Sequence, residues 1–327
     1  MKKRFVSILL LFSVVMGLLA GCGVAPTETT APTEVLAKEE AVLESGDKII
    51  FIGNSFTYYG KCVLDKGQKE FGLDKRANDQ GYFYQICKAN GLDVSVTNFT
   101  FGGHQLKDFY SGKCAAGRGH DGLNHLEYLT DRDYDYVVLQ QGSGGKSAAD
   151  ILGECRPLMD LFLKVNPNTQ FVFLVHHRVH QVEETAYKSH IKELEDAGFI
   201  VVDWGALVAD VINGTTQVPG ATQTYDNNSF VISKSMDDGF HENLLAGYIT
   251  AQMTYCALTG QSAVGQDYSF CGNTEINGSF DFLAFKAKQY LFDTHTNFIE
   301  IFNSEADMRG LQELIDKYLA EKAYRNY

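Results

Sequence analysis

A three-layer α/β/α sandwich around a central parallel sheet of about five strands is the fold class predicted, and three observations predict it. Five apolar runs, "KIIFIGNS", "DVSVTNFT", "YDYVVLQQ", "TQFVFLVHH" and "FIVVDWGALV", are rich in Val, Ile and Phe with little strict alternation. That is the pattern of strands buried on both faces of a parallel sheet. Stretches with helical spacing lie between them, so that strand and helix alternate five times, as a doubly wound sheet requires. Finally, 327 residues that are 45% hydrophobic and 21% charged have ordinary globular composition and enough length for one large α/β domain.

Taken in order, the chain opens on an export signal. "MKKRF" is a basic n-region, "VSILLLFSVVMGLLA" an apolar h-region, and small residues precede Cys22. The apolar run is short for a membrane span of roughly 20 residues. Leu19-Ala20-Gly21-Cys22 resembles the bacterial lipoprotein processing box, which implies a signal peptide over 1–22 that ends at a lipidated Cys22 and an anchor at the outer face of a membrane. Residues 23–46 are rich in Thr, Ala and Glu, hold two of the five prolines and have no aromatic residue, so they read as a tether. The domain is expected over 47–327. Removal of the signal takes Lys2, Lys3 and Arg4 from a net charge of −13, leaving −16, and nucleic acid and anionic lipid surfaces are poor partners for such a chain.

Strand one runs into Gly53-Asn54-Ser55, a polar turn at its carboxyl end. A helix over 81–90 then leads to strand two, which ends near "NFTFGGHQL". The spacing predicts helices over 123–131, 148–165 and 182–198 around strands three and four. Strand four closes on "LVHHRVH", where alternation sends His176 and His177 to opposite sides. These histidines and His180 have no carboxylate nearby in sequence, and no metal site or cofactor is expected. Strand five is followed by an irregular segment from Asp210 to Met236, a helix over 243–260, and a C-terminal packing helix. The last carries Met308, Leu311, Leu314, Ile315, Tyr318 and Leu319 on one stripe. Six cysteines remain after Cys22; an exported chain permits one or two bridges among them, and no spacing suggests zinc.

In an α/β sheet, chemistry gathers at the carboxyl ends of the strands. Ser55 stands at such an end, and "SMDDGFHENLLAGYITA" places Asp238 three residues before His241 at the head of a helix. A nucleophilic serine needs a base within hydrogen-bond reach and a carboxylate that fixes the imidazole tautomer. Each piece alone has a plainer reading: Asn and Ser often satisfy their own turn, and acidic residues favour helix N-termini.

Together they resemble the SGNH, or GDSL-type, hydrolase family over residues 47 to about 262. The matching blocks are Gly53-Asn54-Ser55, then Gly103 after strand two, and finally Asp238-Gly239-Phe240-His241. The third block departs from the usual Gly-x-Asn-Asp and reads "VVLQQGSGG"; Gln141-Gly142 resembles the Gln-Gly of some carbohydrate-esterase branches, with Gln140 as the competing choice. The resemblance implies the flavodoxin-like fold of that family and a triad of Ser55, His241 and Asp238, with Asp237 ranked behind Asp238. It further implies an oxyanion hole from the N–H groups of Ser55 and Gly103 with the amide of Gln141. Asn54 and His104 are the substrate-contact candidates, and Tyr58 and Tyr59 offer aromatic faces. The expected activity is hydrolysis of an ester, preferably an O-acetyl group on a carbohydrate or glycan, with membrane contact through the lipid anchor only. The rival readings are a surface binding protein on the same fold and a lipase or thioesterase for long acyl chains. Oligomeric state is not legible.

Overall fold

The structure is a computed structural model that describes residues 42–64, 80–111, 133–141, 151–182, 191–232, 241–272 and 304–321. The signal segment, Cys22, the helix expected over 123–131, Asp237, Asp238 and Gly142 lie outside the described residues.

Five parallel strands form one sheet in the order β2-β1-β3-β4-β5: β1 (Lys48–Gly53), β2 (Ser95–Thr100), β3 (Tyr136–Gln140), β4 (Gln170–Leu174) and β5 (Ile200–Val202). β1 sits between β2 and β3, pairing Ile50 with Thr97 on one side and with Val137 on the other. A strand hydrogen-bonded on both edges and covered on both faces has no solvated side, which is why "IIFI" need not alternate. Ile49, Ile50, Phe51 and Ile52 are all buried.

The α-helices among the described residues are α1 (Ser55–Tyr58), α2 (Tyr82–Ala89), α3 (Leu106–Tyr110), α4 (Ile151–Val165), α5 (His177–Val182), α6 (described over 191–196), α7 (Trp204–Ile212), α8 (Asn227–Phe230), α9 (Leu244–Thr259) and α10 (Glu305–Glu321). The path from β1 to β2 runs one way along the sheet and the path from β2 through β5 runs the other, so right-handed crossovers put helices on both faces. The reversal falls between β1 and β3, and in sheets of this kind ligands bind outside the carboxyl ends at such a point.

Two boundaries differ from the sequence expectation. The tether does not extend to residue 46: Leu43 is buried, its N–H donates to Leu258 O at 3.0 Å, and Gly46 N–H donates to Asp93 O at 2.7 Å. Strand five is also shorter than the run "FIVVDWGALV", because the Asp203 carboxylate accepts from Ala206 N–H at 2.9 Å and caps α7. Of the described part of the segment expected to be irregular from Asp210 to Met236, only 210–212 at the end of α7 and 227–230 in α8 are helical, and residues 213–226 between them are turns and loop. The expected late helices are present; α9 is buried nearly all round, and the stripe from Met308 to Tyr318 on α10 faces the core.

The five described cysteines, Cys62, Cys87, Cys155, Cys256 and Cys271, are buried thiols, none in a disulfide. The expected bridge does not form among them. Burial pushes the Cys87 and Cys256 thiols up to about 12.

Candidate active site

Ser55 is the first residue of α1, immediately past the carboxyl end of β1. Asn54 makes it so: its backbone is extended and its Oδ1 accepts from Phe56 N–H at 3.0 Å, starting the helix one residue after the strand stops. The Asn54 Nδ2 donates to His104 O at 2.8 Å, and Phe101 N–H donates to Gly53 O at 3.0 Å. These two bonds lock the loop after β2 against the serine turn. Beneath the turn, Gln140 Oε1 accepts from Asn54 N–H at 3.3 Å and from Thr57 Oγ1 at 3.1 Å, while its Nε2 donates to Gln141 O.

Within the locked loop, His104 N–H donates to Phe101 O at 3.1 Å and closes a turn in which Gly103 has φ +73°. A third turn position with φ above zero is one that glycine takes without strain. Neither Gly103 N–H nor Ser55 N–H makes a hydrogen bond among the described residues. For Ser55 the reason is general, since the first N–H groups of a helix have no intrahelical acceptor.

His241 reaches this place from the far end of the chain. Val231 and Glu242 form an antiparallel bridge, Ile232 N–H donates to His241 O at 2.9 Å, and Asn243 N–H donates to Phe230 O at 2.8 Å. Asn243 then caps α9 through Leu245 N–H and Ala246 N–H. Held so, His241 Nε2 lies 2.7 Å from Ser55 Oγ, and each of the two residues is 8% exposed. A backbone contact brings the two segments together. A Cβ built on Gly247 of α9 would stand 1.6 Å from Gly60 O, so only glycine permits the approach. The imidazole also lies against two aromatic rings of the serine's own segment, Tyr59 at 3.9 Å between centroids and Phe56 at 5.0 Å.

Other expected residues are placed differently. Gln141 does stand at the end of β3, but its Oε1 accepts from Leu106 N–H at 3.0 Å and its Nε2 donates to Glu154 at 2.6 Å. In this arrangement its carboxamide ties α3 to α4. Asn54, expected to touch substrate, is 1% exposed, with its Oδ1 bonded within the serine turn and its Nδ2 to the loop after β2. His104 is 6% exposed, packed near Phe101 and Phe109, and holds Asn54 through its carbonyl. β4 ends at Leu174, so strand alternation does not govern His176 and His177. Both are buried: His176 stacks on Phe56 at 4.3 Å, and His177 lies 5.5 Å from Trp204. His180 pairs with the cap of α7, Asp203, at 2.8 Å; a lone Asp between an apolar strand and a helix was the available signal for that carboxylate.

No family model matches the chain, and no curated protein matches it. Solved structures similar to it include a DUF4886 family protein from Bacteroides uniformis, 14% identical, covering 84% of this chain and 95% of that one with a TM-score of 0.49. Another is a catalytic mutant of an acetylxylan esterase from Geobacillus stearothermophilus, 14% identical, covering 66% of this chain and 95% of that one with a TM-score of 0.44.

Proposed function

We propose that this chain is an exported, lipid-anchored serine esterase of SGNH type that removes short acyl groups, preferably O-acetyl groups from a carbohydrate or glycan. The observation that carries the reading is the 2.7 Å approach of His241 Nε2 to Ser55 Oγ across 186 residues of sequence, beside two unspent N–H donors.

In the reaction, His241 Nε2 takes the Ser55 proton as Oγ bonds to the ester carbonyl carbon, and the carbonyl oxygen becomes an oxyanion. The N–H groups of Ser55 and Gly103 receive that charge. The C–O bond to the alcohol breaks, the leaving oxygen takes the proton from His241, and an acyl-Ser55 ester remains. Water then loses a proton to His241, attacks the acyl carbon, and returns Ser55 with release of the carboxylic acid. Asp238 is the proposed carboxylate that orients His241. Gln141 becomes a third donor only by exchanging Glu154 for the oxyanion, and a working donor in such a hole is worth about 10²–10³ in rate.

The preference for a short acyl group rests on composition: the segment from Asp210 to Met236, before the His241 segment, is rich in Gly, Thr, Asn and Gln, unlike an apolar lid for long chains. The lipoprotein box at Cys22 supports the extracellular address. The test uses the soluble form lacking residues 1–22, assayed on nitrophenyl acetate, a long-chain nitrophenyl ester and an acetylated glycan, beside Ser55→Ala. Acetate cleaved in preference to the long chain, with loss in the variant, is expected. Equal activity in Ser55→Ala removes the nucleophile, and no turnover of any ester favours a binding protein on this fold.

A further inference from the structure

The base of this reaction must keep its ring plane as well as its hydrogen bonds, to Ser55 at Nε2 and, as proposed, to Asp238. The ring must stay aimed at Oγ both as neutral base and as imidazolium, and an aromatic face packed along the imidazole plane restrains it directly. Tyr59 lies 3.9 Å from the imidazole by centroids with only 16° between planes. Phe56 lies 5.0 Å from it at 32°, and is backed in turn by His176 at 4.3 Å and 23°. The four rings form a chain of contacts in which the imidazole touches both Tyr59 and Phe56.

Tyr59 belongs to the serine's own helical turn: its N–H donates to Ser55 O at 2.9 Å. Residues four apart share a helix face, so the segment that presents the nucleophile also presents a flat surface to the base. A π face attracts a cation, and more strongly where water is displaced; His241 is 8% exposed, so its protonated state has little solvent to lean on.

We infer that Tyr59 is a positioning residue for the base: its ring face holds the His241 imidazole in line with Ser55 Oγ and stabilises its cation during acyl transfer. The inference rests on the acyl-transfer reading, and it assigns the work to the ring and none to the hydroxyl. Tyr59→Leu should then lower kcat on nitrophenyl acetate about ten- to thirty-fold with KM within about twofold, as expected for an interaction of cation–π strength lost from the transition state. Tyr59→Phe keeps the face and should retain kcat within about threefold.

The experiment measures kcat and KM for wild type, Tyr59→Leu and Tyr59→Phe, and the rate at which a fluorophosphonate labels Ser55 in each. It adds the ring-proton NMR signal of His241, which an overlying aromatic face shifts upfield. The expected result is a fall in kcat and labelling rate, and a downfield move of the His241 signal, in Tyr59→Leu with recovery in Tyr59→Phe. Tyr59→Met, of similar flexibility to a core filler, carries the same test where the leucine variant does not fold. Failure of wild type to label at Ser55 overturns the acyl-transfer reading and this inference with it. Labelling of wild type and Tyr59→Leu at equal rates overturns this inference alone, as does a Tyr59→Phe variant as slow as Tyr59→Leu.

Discussion

Beneath the serine turn, Gln140, Asn54 and Thr57 share a buried hydrogen-bond network; between α2, α9 and α10, another joins Asn90, Gln252, Gln266, Gln312 and Tyr248. In the second, Gln312 Nε2 donates to Tyr248 Oη at 3.1 Å and to Gln266 O at 3.0 Å. Gln266 Oε1 accepts from Gln252 at 2.8 Å and from Asn90 at 3.1 Å. Both networks are built from carboxamides, yet they leave different atoms unspent. Between the helices the leftover is an acceptor, Gln252 Oε1, sealed in the interior where it can only cost stability. At the serine turn the leftovers are two donors, Ser55 N–H and Gly103 N–H, at the carboxyl ends of β1 and β2 beside a serine and a histidine in contact. The same residue chemistry thus fastens helices in one place and aims donors in the other. Under the proposed acyl transfer, these are the donors that would receive the oxyanion.

The sharpest way to break this contrast is at the nucleophile. Ser55→Ala should lower kcat at least about 10⁴-fold, some 5 kcal/mol of transition-state stabilisation, with the thermal midpoint nearly unchanged; a large fall in midpoint instead would make Ser55 structural. Next is Gly103→Ala. At φ +73° the added Cβ costs about 1–2 kcal/mol, and a turn that shifts to relieve it withdraws its N–H. A fall in kcat of about 10²-fold is expected, with KM little changed, read from steady-state kinetics.

A paired comparison separates the two networks directly. Gln140→Leu strands Asn54 N–H and the Thr57 hydroxyl, and should lower kcat about tenfold together with a loss of stability of about 1–3 kcal/mol. Gln312→Leu should cost similar stability by chemical denaturation and leave kcat within about twofold. Equal kinetic damage from both variants would erase the distinction. The smallest effect concerns the thiols beside the second network. With Cys87 and Cys256 pushed up to about 12 by burial, iodoacetamide at pH 8 should leave both unmodified in the folded protein without changing activity. Both should alkylate in denaturant without reductant, and failure to do so would mean a disulfide.

Much of this was legible in the chain because it depends on near neighbours. Continuous runs such as "IIFI" and "VVLQ" marked buried strands, and Gly53-Asn54-Ser55 marked a turn whose Asn caps the next helix. Where local signals compete the chain misleads: "VVDWGALV" is apolar except at Asp203, and the cap that Asp203 makes is what divides strand from helix. The choice between Gln140 and Gln141 was never local. Adjacent residues at a strand end carry the same amide, and its partners come from the turn after β1 for one and from α3 and α4 for the other.

The sequence by itself determined the α/β class, the order of the strands and helices, and the presence of a serine and a histidine at points where an α/β sheet gathers its chemistry. Hydrophobic periodicity and capping act over a few residues, so a linear reading captures them. Tertiary structure alone decided that residues 55 and 241 touch, because that contact depends on Gly60 meeting Gly247 backbone to backbone and on the bridge from Val231 to Glu242. It also decided which donors stay free and which ring lies over the imidazole. Those outcomes follow from packing between distant segments, where partners are set by space and not by spacing along the chain.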